Sequence, residues 1–478
     1  MGFTSQIFLF VFFPILVAAY YSVYFLSKRS ALLQKLRAVE LLLIAVSLVF
    51  YAWAYVGGLG FLCLYIAAVY AMGRITQYMM KRGGARCVKL TAACFWAITV
   101  GLLCYFKGWE RVWQAWLDLT NSGDTARPIL APLGISFITF SAISYLVDIY
   151  KGRAEAGSLI DCALYLSFFA KVVSGPIVLW RDFKGQTPQV SLDNVTDGIT
   201  RVMIGFAKKT ILADTFGYCI AEMAVQVDVP TAWGAAILYM LQIYYDFSGY
   251  SDIAIGLSQM LGLHIKENFN FPYLSTSITE FWRRWHISLG TWFREYVYIP
   301  LGGSRKGTVR TLVNIGIVFV LTGIWHGTGL TYLAWGIVNG ICNMAEKLLD
   351  GNKLYERTPK GIKWLGTMGI TLFCWQLFRA SSGRAALYAL ASMVGLTGSE
   401  GLVYTWSYYF DAQIVTFAII GFLGATVFGL PKVQQAYEKL QQTKLGYGIR
   451  QAVAVVLFVL AVLFMVNSTY SPFLYFQY

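Results

Sequence analysis

Apolar runs close to the length needed to cross a bilayer recur along the chain, at residues 7–25, 41–57, 90–105, 414–430 and 452–466. A hydrocarbon core of roughly 30 Å takes about 20 residues of helix. In lipid only a helix or a closed barrel satisfies its own backbone polar groups. The runs are continuous rather than alternating, which predicts helices. With 57% hydrophobic and 13% charged residues among 478, no soluble domain of comparable size is left over. The expected fold is an all-α polytopic membrane protein of about 11–13 transmembrane or re-entrant helices. It is expected to form one domain over residues 1–478, with its core at about 131–344.

The net charge of +14 does not point to nucleic acid, because the basic residues lie in short clusters between apolar runs and form no single stripe with stacking aromatics. The clusters are Lys28, Arg29, Lys35 and Arg37; Lys81, Arg82, Arg86 and Lys89; Lys353, Arg357, Lys360 and Lys363; and Lys432, Lys439, Lys444 and Arg450. Under the positive-inside rule all four are cytoplasmic and both termini lie outside. Residues 1–6 carry no basic segment, so the first run is expected to be a retained span rather than a cleaved signal peptide. The eight cysteines are scattered with no CxxC pair, and there are three histidines. Neither a disulfide framework nor a metal site is indicated.

Function is sought between residues 131 and 344, where glycine, proline, charged and aromatic residues interrupt the apolar runs. Polar backbone at membrane depth is tolerated only inside protein or beside a wet cavity. The stretch FPYLSTSITEFWRRWHISLGTWFREYVYIPLGGS (271–304) is too charged for a lipid-facing span and too aromatic for a loop. It reads as a re-entrant or interfacial helix, capped by Ser277 or Thr279 with Glu280 in its first turn. Helical spacing puts Arg283, His286, Gly290 and Arg294 on one face and Trp282, Trp285, Leu289 and Trp292 on a neighbouring one. A cation beside His286 favours a neutral ring able to accept a proton.

In QIYYDFSGYSDIAIG (242–256), Tyr245, Ser248 and Asp252 share one face, and Gln242, Asp246 and Gly249 another. A carboxylate at the centre of a span costs roughly 2.5–3.5 kcal/mol on insertion scales. Asp246 and Asp252 therefore either line a polar tunnel or pair with Arg283 or Arg284. The segment GIWHG (323–327) places His326 between two nearly apolar runs. Gly323 and Gly327 leave room beside the ring for another chain or a ligand. From spacing alone His326 is either a proton-active group or a hydrogen-bonding strut, while His264 reads as structural.

FWRRWHISLGTWFREYVYIPLGG (281–303) followed by GIWHG resembles the membrane-bound O-acyltransferase family. The N-terminal SQIFLFVFFPILVAAYY, PLGISFITFSAISYLVDIYKG (132–152), SGPIV (174–178) and YYDFSGYSDIAIG (244–256) are similar to its bacterial branch, which includes alginate O-acetylation proteins. The likeness implies a central acyl-transfer tunnel, with His326 catalytic and His286 the second polar residue of the site. It further implies transfer of an acyl group, acetyl in this branch, from a cytoplasmic thioester to a hydroxyl of an extracytoplasmic partner or cell-envelope polysaccharide. On this reading no cofactor is bound. Acyl-CoA, acetyl-CoA above all, or another acyl thioester is the donor, and Arg283 and Arg284 meet its phosphates. Trp282, Trp285, Asp246, Ser248, Asp252 and Trp325 complete the expected substrate-binding set. The expected partners are an SGNH-type acetyltransferase and the bilayer of a bacterial cytoplasmic membrane, and no nucleic acid. Two alternatives stand beside this: D-alanyl transfer to teichoic acid, and a transporter or flippase, against which the absence of internal repeats counts.

Overall fold

The computed structural model describes residues 2–120, 124–224, 226–398 and 404–467. These form helices joined by turns, with no strand among the described residues. Six helices are long and apolar enough to cross a membrane: Phe8–Arg29, Gly57–Arg82, Ala85–Leu119, Thr308–His326, Ala412–Gly429 and Lys444–Asn467. Shorter apolar helices run over Ala38–Ala54 and Ile135–Tyr150. Basic residues sit in the last turns of the first two spans, Lys28 with Arg29 and Lys81 with Arg82. There they meet the negative end of the helix dipole and mark the predicted cytoplasmic side.

The chain gathers into two compact units, the first comprising Met1–Ile199 and Ala254–Lys266. Within it the helix Ile135–Tyr150 is buried over all but its last residue, including Ser136, Thr139, Ser141, Ser144 and Asp148. Such a helix needs polar partners inside protein. The Asp148 carboxylate lies 3.6 Å from Arg153 and accepts from the Arg181 amide at 3.1 Å. Gly134 precedes the helix at φ +68°, where a Cβ would sit 2.3 Å from the Val172 carbonyl oxygen, so only glycine fits. The helix Leu159–Ser167 opens with a capping box between Ser158 and Asp161. Asp161 also pairs with Arg37 at 2.8 Å and Lys184 at 3.0 Å. Burial raises its carboxyl pKa, but the Ser158 amide and the two cations more than reverse this and hold it at about 2. His264 is exposed, and its backbone pairs with the Gln186 side chain.

The second unit comprises Thr200–Ile253 and Glu267–Tyr478. Two ion-pair networks join the helix Val229–Met260 to the chain that precedes it. Lys209 contacts Asp246 at 2.7 Å and Asp214 at 2.5 Å, and Asp252 meets Arg201 at 2.8 Å and Lys208 at 2.6 Å. Arg201 also holds Glu267. The backbones approach closely there, because a Cβ on Gly249 would lie 2.8 Å from the Gly205 carbonyl oxygen. The helices Thr308–His326 and Leu330–Leu349 form an antiparallel pair with a similar contact. A Cβ on Gly336 would fall 2.5 Å from the Phe319 oxygen, and one on Gly323 2.7 Å from the Tyr332 oxygen. The chain admitted beside Gly323 is thus the following helix.

Candidate active site

All elements of the site belong to the second unit. Ser277 caps the helix Ile278–Arg284 by accepting from the Glu280 amide at 3.0 Å, as its sequence predicts, and the Glu346 carboxylate accepts from the Ile278 and Thr279 amides. The predicted single helix then breaks. Trp285 is extended, His286 is left-handed at φ +46° and ψ 53°, and a second helix runs over Ile287–Phe293. A continuous helix would send the Ile287 and Ser288 amides to the carbonyls of Arg283 and Arg284. Instead, Ile287 N–H donates to the Asn268 backbone oxygen at 2.9 Å and Ser288 N–H to Asn268 Oδ1 at 3.2 Å, while the Arg284 carbonyl accepts from Asn270 at 2.9 Å. The segment before the helix thus supplants its hydrogen bonds. The break corrects the predicted shared face: His286 is 2% exposed, whereas Arg283, Gly290 and Arg294 face outward.

His286 Nδ1 lies 3.1 Å from Asn268 Oδ1, and Nε2 has no hydrogen-bond partner among the described residues. The Phe247 ring meets the imidazole edge-on at 4.7 Å. Burial, rather than a neighbouring arginine, lowers the imidazole pKa and favours the neutral ring.

His326 is the last residue of its helix, and Gly327 follows as the C-cap. Its ring is enclosed by Trp325 at 4.5 Å, Trp335 at 5.1 Å and Phe378 at 5.1 Å, with 5% of the residue exposed. The space expected beside it is therefore filled by aromatic rings. Trp325 also lies 6.5 Å from the His286 ring, so one indole contacts both histidines.

The remaining predicted residues divide. Trp282 donates to Asn339 Oδ1 at 3.1 Å and meets Trp335 edge-on at 5.5 Å, and Trp285 packs on Phe281 and Trp375. Arg284 pairs with Glu280 at 2.8 Å and donates to the Asn270 carbonyl, while Arg283 is exposed. The expected pairing of Asp246 or Asp252 with these arginines is replaced by Lys209 for Asp246 and by Arg201 and Lys208 for Asp252. Ser248 is buried, and its hydroxyl has no hydrogen-bond partner among the described residues. Asn268, Ser288, Trp335 and Phe378 escaped the sequence reading. Asn268 is a polar residue in an unstructured run before FPY, and the two aromatics look like any apolar helix residue.

A cavity of about 550 Å³ is lined by Gln376, Arg379, Ser381, Ser382, Arg384 and Tyr388 among others. It adjoins the His326 surroundings through the chain: Phe378 touches the His326 ring, and Thr331 Oγ1 donates to the Ala380 carbonyl at 3.2 Å.

A multi-pass helical membrane protein with two buried histidines sharing one tryptophan is the class these features define. The membrane-bound O-acyltransferase family matches residues 88–353, which include both histidines. The chain is 35% identical to a protein named "Probable alginate O-acetylase" in Pseudomonas putida, with 100% of both chains covered. It is 32% identical to the peptidoglycan O-acetyltransferase of Helicobacter pylori, covering 63% of each chain. It is also 31% identical to the teichoic acid D-alanyltransferase of Bacillus subtilis, over 50% of this chain and 62% of that one. The chain belongs to the membrane-bound O-acyltransferase family and is a multi-pass O-acyltransferase.

Proposed function

We propose that this enzyme moves an acetyl group from a cytoplasmic acyl thioester, acetyl-coenzyme A or its carrier-bound equivalent, to a hydroxyl on the outer side of a bacterial cytoplasmic membrane. The acceptor is a cell-envelope polysaccharide or an extracytoplasmic SGNH-type partner that passes the acetyl group on. The observation that carries this reading is the position of His326 at the far end of its helix from Arg305, Lys306 and Arg310. Nineteen residues at 1.5 Å each separate those ends by about 28 Å. Basic residues mark the cytoplasmic end, so the histidine faces the acceptor side.

His326 takes the proton of the acceptor hydroxyl as its oxygen attacks the thioester carbonyl carbon. The carbon–sulfur bond then breaks, and the departing sulfur takes up the proton. The surrounding Trp325, Trp335 and Phe378 exclude water, which would otherwise hydrolyse the acyl group. Arg283, exposed three residues before His286, suits a donor phosphate better than Arg284, which Glu280 already engages. Trp282 and Trp285 shape the donor path, and Asp246, Ser248 and Asp252 form its polar wall. The cavity lined by Arg384 and by Arg379, one residue along the chain from the Phe378 that touches His326, fits an acceptor that carries acid groups. Acetyl is favoured over D-alanyl because the acetylase of Pseudomonas putida matches the whole chain and the D-alanyltransferase half of it.

The testing variant is His326→Gln, since Ala would open a cavity among three aromatic rings. An amide holds a hydrogen bond but accepts no proton, so O-acetylation of the envelope polysaccharide should fall by about 100- to 10,000-fold with the protein still in the membrane. Near-normal acetylation by that variant would refute a proton-accepting His326.

A further inference from the structure

We propose that Asn268 is a positioning residue of this site: its side-chain carbonyl holds His286 in the Nδ1–H tautomer and leaves Nε2 as the ring's proton-accepting atom. The inference rests on the acyl-transfer reading for its consequence but on geometry for its substance.

The identity of the Asn268 atom facing the ring is fixed by its other partners. That atom receives the Ser288 backbone N–H at 3.2 Å and the Ser288 hydroxyl at 2.8 Å. A backbone N–H can only donate, so the atom is oxygen. The opposite end of the amide donates from Nδ2 to Ser251 Oγ at 3.1 Å. Turning the amide over would set its NH2 group against the Ser288 backbone N–H and lose that bond, whereas the Ser251 and Ser288 hydroxyls could serve either orientation. With oxygen 3.1 Å from His286 Nδ1, that nitrogen must carry the hydrogen. Ser288 Oγ is 3.4 Å from Nδ1 and 2.8 Å from Asn268 Oδ1. Its one hydrogen therefore goes to the nearer asparagine oxygen.

The backbone reinforces the side chain. His286 is one of three non-glycine residues at positive φ among the described residues, a conformation that persists only where the surroundings enforce it. Asn268 enforces it by taking the Ile287 and Ser288 amides. The same residue thus turns the ring into the interior and sets which nitrogen is bare. Asn268, Ser251 and Ser288 are themselves buried, which leaves no solvent to compete for these bonds.

The consequence selects between two roles for His286. A ring with Nδ1–H committed to Asn268 has no hydrogen at Nε2 to offer the thioester oxygen. With His326 taking the proton of the acceptor hydroxyl, the bare Nε2 of His286 accepts that same proton from the protonated His326 and releases it to the departing sulfur. The proton count closes on one ester and one thiol.

The chain has three histidines, so histidine-specific ¹⁵N labelling of the full-length protein in bilayers gives three rings. His264→Gln and His326→Gln assign them by removing one signal each. The expected His286 spectrum has a protonated Nδ1 and a bare Nε2. Asn268→Asp, which keeps an acceptor oxygen, should retain a protonated Nδ1. Asn268→Leu should shift the ring towards the Nε2–H tautomer and lower thiol release from acetyl-coenzyme A by about 10- to 100-fold at unchanged KM. A wild-type ring protonated at Nε2 would overturn the proposal, as would an unaltered tautomer in Asn268→Leu. If the leucine variant fails to insert, the wild-type and Asn268→Asp spectra still decide. These spectra are independent of turnover, so an active His326→Gln enzyme would defeat the acyl-transfer mechanism while leaving the tautomer assignment standing.

Discussion

Lys209 Nζ lies 2.7 Å from Asp246, with both side chains 2% exposed. A charge so deep is held by its partners, and removing one of them leaves desolvation uncompensated at about 3–5 kcal/mol. Lys209 serves Asp214 as well, so the two ends of the pair are not equivalent. Lys209→Met, which takes the cation from both carboxylates, should destabilise by that full amount. Asp246→Asn, which leaves Lys209 with Asp214, should cost about 1–2 kcal/mol. Thermal unfolding in detergent measures the order. A folded Asp246→Asn enzyme with a raised KM for acetyl-coenzyme A would support Asp246 in the wall of the donor path as well, and an unchanged KM would assign it to the fold alone.

The contact of Gly336 with the Phe319 carbonyl sets the spacing of the helix that ends in His326. Gly336→Val must push the two helices apart and should cost about 1–3 kcal/mol, displacing His326 as well. Gly366 is the control, because a Cβ there meets nothing within 4 Å. Gly366→Ala, inside the helix Lys360–Arg379, should be neutral or gain up to about 1 kcal/mol. Equal melting temperatures for both variants would contradict the close contact.

Asp161 gives a stability change with a defined pH window. Its carboxyl pKa falls from 3.8 to about 2 in the folded chain, so its contribution is fully present above pH 3.8 and is lost as pH falls towards 2. Asp161→Asn should lower stability by about 1–2 kcal/mol at neutral pH, discounted for the partial exposure of Arg37 and Lys184. The gap in melting temperature between wild type and variant should close on acidification. A gap that persists at pH 2 would show that the capping amide, not the charge, matters.

Orientation in the membrane is testable with cysteines placed at Gly84 and Glu438 in a background lacking the eight native ones. Both lie by basic clusters assigned to the cytoplasm. Neither should react with an impermeant thiol reagent until the cells are broken. Labelling of either site in intact cells would reverse the orientation and move His326 to the donor side.

Local pattern determined the helices, the Ser277 cap and the apolar setting of His326, because hydrophobic runs, capping residues and helix-breaking glycines act over a few residues. What lay between Gly323 and its neighbour, and which cations met Asp246 and Asp252, depended on helices that come together only in the folded chain. The same holds most sharply for His286. Its own neighbours favour a continuous helix, and helical spacing would have put it beside Arg283. Asn268, eighteen residues earlier, takes the two amides that such a helix requires, and burial then withdraws the water that could replace them. Local propensity proposes a conformation at each position. The hydrogen bonds available in the packed interior decide which one survives.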